Sequence, residues 1–223
     1  MTRRMIVPAL FGVVGTGLLL WLGFWQLERL EWKQAFLDDI NARIHADPVA
    51  LPAAPDEARD KFLAVQVPGR IEGPEIHVLA SRKQVGPGYK VIVAFVTDDG
   101  RRILLDRGFI PIPAKNALRP DKPLTVVGNL HWPDETDSYT PPPDIGANIW
   151  FARDVEKLAE TLGTEPVLLM ASSDTGDGVE AYPVSTEGIP NDHLNYAITW
   201  FLMAAVWFGM TLYLLWRIKR RTN

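Results

Sequence analysis

Residues 5–27 and 194–216 are two stretches of 23 residues without a formal charge in a chain of 223. Each exceeds the roughly 20 residues that an α-helix needs to cross a bilayer. A simple soluble protein is therefore excluded, and everything between the stretches must be read as a domain tethered at both ends. All 27 Asp and Glu lie in residues 28–192, with 17 of the 23 Lys and Arg, which gives that region a net charge of −10. An acidic body argues against a nucleic-acid partner, whose phosphates require cationic neutralisation. With no Cys in the chain, disulfides, thiolate copper or zinc sites, iron-sulfur clusters and covalent c-type haem attachment are all ruled out.

Arg3 and Arg4 precede the first stretch; Arg217, Lys219, Arg220 and Arg221 follow the second, with no acid among them. The positive-inside rule then predicts both termini on the cytoplasmic side and the central region outside, in a periplasm or its organellar equivalent. Residues 158–192 contain no Lys or Arg but include Glu160, Glu165, Asp174, Asp177, Glu180, Glu187 and Asp192, a poor cytoplasmic anchor. A cleaved signal sequence is the alternative for the first stretch. Its apolar region would be roughly 7 to 15 residues long and end in small residues, whereas this one ends in Trp21, Phe24 and Trp25, which suit an interfacial belt.

The expected organisation is a membrane α+β chain: two transmembrane helices flanking a β-rich external domain, an antiparallel barrel or sandwich with short helices. Residues 1–27 form the cytoplasmic N-terminus and first span. In residues 28–46 the apolar stripe Trp25, Arg29, Trp32, Phe36, Ile40 and Ile44 continues at spacings of three and four, predicting a helical extension. Residues 47–190 form the external domain, opening on a linker with Pro48, Pro52 and Pro55. Strands are predicted from Phe62 to Val67, around His77, from Tyr89 to Thr97, from Arg102 to Ile110, from Leu124 to Leu130 and from Pro166 to Met170. Asp98-Asp99-Gly100 makes a hairpin turn, residues 152–162 a short helix, and Gly69, Gly73, Gly86 and Gly88 read as turn glycines. Residues 191–216 form the second span, and 217–223 a basic cytoplasmic tail.

Motifs for a hydrolase elbow, a phosphate loop or a dinucleotide fold are absent from the sequence, and no pair of its four His has metal-ligand spacing. His45, His77 and His131 sit at ordinary helix or strand positions. His193 differs because it opens the second span, after Asn191 or Asp192 as a helix cap, where a helix N-terminus disfavours the protonated ring and leaves a lone pair for a metal. His193, Tyr196, Ala197, Trp200, Ala204 and Trp207 share one stripe, with two small residues forming a recess among aromatics that suits a flat metallo-macrocycle. His, Tyr and Trp are equally at home there as plain interfacial anchors. On the first helix Trp25, Arg29 and Trp32 cluster at the same interface. Arg29 there can pair with carboxylates, such as haem propionates, or snorkel to a lipid or to Asp192.

Four ordered blocks resemble the surfeit locus protein 1 family. They are Gly23-Phe24-Trp25-Gln26-Leu27 with Arg29 and Trp32-Lys33; Gly86-Pro87-Gly88-Tyr89-Lys90 leading to Asp99-Gly100 and Leu105-Asp106-Arg107-Gly108-Phe109-Ile110-Pro111; Asn148-Ile149-Trp150 before Asp154; and Asn191-Asp192-His193-Leu194-Asn195-Tyr196-Ala197-Ile198-Thr199-Trp200-Phe201. The family more often has Asn at position 106 and Trp at 109, and residues 172–185 match little of it. The resemblance implies an assembly factor of haem-copper oxidases rather than an enzyme, in the bacterial inner membrane. It implies haem a as cargo, with His193 as the iron ligand; the helix stripe and the interfacial cluster then suggest Tyr196, Trp200, Trp25, Arg29 and Trp32 around it. The implied partners are the catalytic subunit of the oxidase, haem a synthase as a source, and membrane lipids. The rival reading is a structural clamp on an oxidase intermediate that never carries haem.

Overall fold

A computed structural model describes residues 3–83, 85–187 and 189–222. The chain divides into two compact units, one holding the segments up to Asp39 and from Thr186 onward, the other Ile40–Ser185.

Helix α1 (Arg3–Ile44) runs 42 residues without interruption, and its residues up to Asp39 belong to the first unit. At 1.5 Å per residue that is about 63 Å, twice the roughly 30 Å of a hydrocarbon core, so more than a third of it lies beyond the span. Helix α4 (His193–Thr222) ends in Lys219, Arg220 and Arg221, cations that favour the negative end of its dipole. Both are long and apolar enough to cross a membrane, and only 6% of each apolar window is buried, so Leu, Phe and Val side chains face outward. Small residues lie between the helices. A Cβ on Gly12 would fall 2.1 Å from Thr211, one on Gly15 2.4 Å from Trp207 and one on Gly23 2.5 Å from Phe201. Ala197 and Ala204 are 1% and 2% exposed. The pair is antiparallel, and its small residues make room for Thr211, Trp207 and Phe201 of the facing helix, as small residues do between helices in lipid, where apolar side chains gain nothing by leaving the solvent.

The recess expected along Ala197 and Ala204 is absent for the same reason. These alanines face inward, and the space they leave is taken by α1 itself. Asn191 does not cap α4 through its side chain, because its Oδ1 is buried without a hydrogen-bond partner.

In the second unit five strands close a barrel in the order β1-β2-β3-β5-β4. β1 (Ala64–Arg82) is 19 residues long and joins two expected strands into one. Its first half, Ala64 to Ile71, pairs with β4 (Lys122–His131). From Gly69 onward it pairs with β2 (Gly86–Thr97), across an irregularity between Glu72 and Ile76 that bends it around the barrel. β2 and β3 (Arg102–Pro111) form the expected hairpin, with Gly100 at φ 87° in its turn. β5 (Leu168–Ala171) is antiparallel to β4 but parallel to β3, so the sheet is mixed rather than purely antiparallel. Five strands in a closed ring cannot all alternate in direction, so one pair must be parallel; here it is β3 with β5, the strand that follows helix α3 (Val155–Leu162) in the chain.

Alternation along the strands builds two cores. Val65, Val67, Val91, Val93, Phe95, Ile103, Leu105, Val126, Leu130 and Leu169 fill the barrel. Ile92, Ala94, Leu104, Leu168 and Met170, on the opposite faces, pack under Leu158, Ala159 and Leu162 of α3. Asp154 caps α3 by accepting from Lys157 N, and Gly163 ends it at φ 63°. Helix α2 (Glu57–Asp60) is a single turn inside the expected linker. Gly69 and Gly88 are not turn residues. Both lie within strands, where a Cβ would come 2.3 Å from Val96 O and 2.2 Å from Ile110 O.

Candidate functional site

His193 begins α4, half-buried, with its ring Nδ1 2.7 Å from Oε1 of Gln26 on α1. Gln26 is 9% exposed, a polar side chain held between two apolar helices. Two ring contacts define the flanks of this pair: Phe24 on Phe201, with centroids 5.3 Å apart, and Phe11 on Trp207 at 5.4 Å. Residues spaced by 7, 11, 14, 18 or 21 return to one side of a helix. Trp25, Arg29 and Trp32 therefore share the Phe11 flank, and Trp200, Tyr196 and His193 share the Trp207 flank, which is the same side of the pair. Tyr196, Trp25 and Trp32 are 56%, 42% and 53% exposed, and Trp200 is half-buried. The guanidinium of Arg29 lies over the Trp32 ring at 4.4 Å, and Trp32 stacks on Phe36 at 5.8 Å. By helix periodicity the site residues suggested by the sequence fall on one side of the pair, with the rings of Tyr196, Trp25 and Trp32 exposed.

A second polar cluster lies in the barrel unit. Asp106, whose side chain is fully buried, accepts from Lys90 Nζ at 3.0 Å and from an Arg153 guanidinium nitrogen at 3.1 Å, while its other oxygen accepts from Gly108 N. Arg153 also pairs with Glu135. Burial pulls the Lys90 pKa below the ordinary lysine value, against the pull of Asp106. Glu135 stays below the usual carboxylate range despite its burial, through the hydrogen bonds and charge of Arg153. His131, next along β4, is pushed down to about 4 by burial and then by the charges of Arg153 and Lys61. The four charges of Lys90, Arg153, Asp106 and Glu135 answer one another, while Nδ1 of His131 is buried without a hydrogen-bond partner.

The sequence profile of the SURF1 family matches residues 13–205, from within α1 through the barrel to within α4. The chain belongs to the SURF1 family. Surfeit locus protein 1 of Takifugu rubripes is 27% identical over 84% of this chain and 90% of its own length. The SURF1-like protein of Rickettsia bellii is 30% identical over 92% of this chain and 87% of its own. Surfeit locus protein 1 of Homo sapiens is 27% identical over 84% of this chain and 72% of its own. The SURF1 family is one of oxidase assembly factors, not a known enzyme class, and this member carries two helices suited to a two-pass membrane protein.

Several SURF1 blocks acquire a structural meaning here. Gly86 to Lys90 and Leu105 to Pro111 are neighbouring strand segments, Gly88 opposite Pro111 and Lys90 opposite Phe109. Asp106, where the family more often has Asn, is the hub of the buried charges. Asn148 holds φ 50° and donates to Glu75 O at 2.8 Å, and Trp150 bridges to Val78, so the third block fastens a long loop to β1. Gln26 belongs to the first block, yet sequence reasoning gave it no role. Its signal was available: an amide inside an apolar span must find a partner or stay unsatisfied in lipid.

Proposed function

We propose that this protein carries haem a for a haem-copper oxidase, holding its iron through His193 on the aromatic flank of the helix pair, and passes it to the nascent catalytic subunit. One observation carries the reading: His193 stands on the same side of the pair as Tyr196, Trp200, Trp25, Arg29 and Trp32, with three of those rings exposed. A porphyrin needs an imidazole for its iron, apolar flat contacts for its ring and a cation for its propionates. The residues present fit those needs, with Arg29 as the cation. One axial His on an open flank suits release to a recipient better than a closed pocket would. The six terminal cations support a reading with the termini in the cytoplasm and this flank at the periplasmic side of a bacterial inner membrane, and haem a synthase is the proposed source of the cargo.

The test is occupancy on the purified full-length protein made in cells that also produce haem a. His193→Ala is expected to abolish the Soret band or reduce it sharply at equal expression, and Arg29→Ala to weaken retention. Equal occupancy in the parent and His193→Ala would sink the ligand assignment. The clamp reading has its own support in Leu118, Tyr139 and Ile145, which are 92%, 90% and 66% exposed on the barrel unit. Oxidase association without any haem band would select it.

A further inference from the structure

We infer that Gln26 is the positioning residue of His193, its side-chain carbonyl accepting the Nδ1 proton and leaving Nε2 as the lone-pair nitrogen on the side of the ring away from α1. The inference deepens the haem-carrier reading and rests on it for its purpose, but its first readout does not need haem.

An amide oxygen has no proton to give, so a contact of 2.7 Å between Gln26 Oε1 and His193 Nδ1 requires the proton on Nδ1. A neutral imidazole has one N–H, so Nε2 carries the lone pair. Without that contact the ring would be free to populate the other tautomer, which has no lone pair on Nε2 for iron, and to rotate about its side-chain bonds. Gln26 is itself well placed to hold still. It is 9% exposed and lies one helical turn from Gly23, whose missing side chain lets α4 approach at Phe201. Ala197, one turn along α4 from His193, is 1% exposed, so close packing continues beneath the pair. The contact also gives the buried amide of Gln26 a hydrogen-bond partner between two apolar helices. Groups that hold the second nitrogen of a ligating His orient the ring and raise its basicity, and their loss costs roughly 10- to 100-fold in metal affinity.

The test uses the full chain in lipid nanodiscs, labelled with nitrogen-15 in its four His and assigned by comparison with His193→Ala. The ligand-free parent should show His193 as the Nδ1–H tautomer. Gln26→Leu should give mixed tautomers and bind added haem a about 10- to 100-fold more weakly. Gln26→Glu, a stronger acceptor, should keep the Nδ1–H tautomer, restore affinity and raise the iron–histidine stretching frequency. An Nε2–H signal in the parent would overturn the inference, since the amide would then be donating to Nδ1. So would unchanged affinity and tautomer in Gln26→Leu while His193→Ala loses haem, and in that case the carrier reading stands. If the parent binds no haem a, the carrier reading falls, and the nitrogen spectra alone decide the role of Gln26.

Discussion

In the barrel the largest fully buried side chains are Arg107, Phe95, Phe109 and Ile92, whereas the helix pair buries Gly12, Gly23, Ala197 and Ala204 and turns Trp21, Phe24 and Leu202 outward. The difference follows from the solvent each unit is built for. Water rewards the burial of large apolar groups by roughly 25 cal/mol per Å2, so the barrel fills with them and closes its sheet, leaving no open edge. Lipid gives no such reward, and the two helices meet where small residues of one admit side chains of the other and where a polar contact joins them. Polar residues accordingly mean different things in the two places. In the barrel Asp106, Lys90, Arg153 and Glu135 answer one another completely. Between the helices Gln26 meets one nitrogen of His193, a single polar contact rather than a closed cluster of charges.

The sharpest way to break this comparison is Asp106→Ala, which leaves Lys90 and Arg153 buried without their common partner. Removing one member of a buried ion cluster costs about 3 to 5 kcal/mol. Thermal unfolding of the barrel, followed by near-ultraviolet circular dichroism in detergent, should show a loss of that size, and a shift below about 1 kcal/mol would mean the cluster is not holding the domain together.

His131 gives the next effect. Folded, it titrates near 4; unfolded, near 6.5. The unfolded chain therefore binds the extra proton between those values, so the stability that burying the neutral ring requires is present above pH 6.5 and is lost as pH falls towards 4. A difference of this size corresponds to at most about 3 kcal/mol. Denaturant titrations at pH 7 and pH 4.5 should show a loss in the parent that is smaller in His131→Gln, and equal losses would remove His131 as the cause.

For the helix pair the expected cost is lower, about 1 to 3 kcal/mol for forcing a side chain into close packing. Gly23→Leu must push Phe201 aside, since even a Cβ there lies 2.5 Å from that ring. Because the chain has no Cys, a disulfide between Gly12→Cys and Thr211→Cys reports the separation of the helices directly. It should form readily in the otherwise unaltered chain and more slowly with Gly23→Leu added. Gly17, with nothing near its Cβ position, should give no crosslink to Thr211→Cys when replaced by Cys.

Two spans, a helical extension, a hairpin around Asp99-Gly100 and a helix stopped by Gly163 are all written in local pattern. So is the singularity of His193, because charge-free length, strand alternation and capping residues act over a few neighbours. The same local reading misplaces Gly69 and Gly88, which look like turn residues until another strand is laid against them. It also makes a recess of Ala197 and Ala204, which only the arrival of α1 shows to be a contact face. The barrel's closure and its one parallel pair were beyond reach too, since they depend on how β3, β4 and β5 meet after a crossover. Gln26 and His193 lie 167 residues apart. No local pattern registers such a pair, because its energy arises only when two helices of small residues bring an amide and an imidazole together out of water.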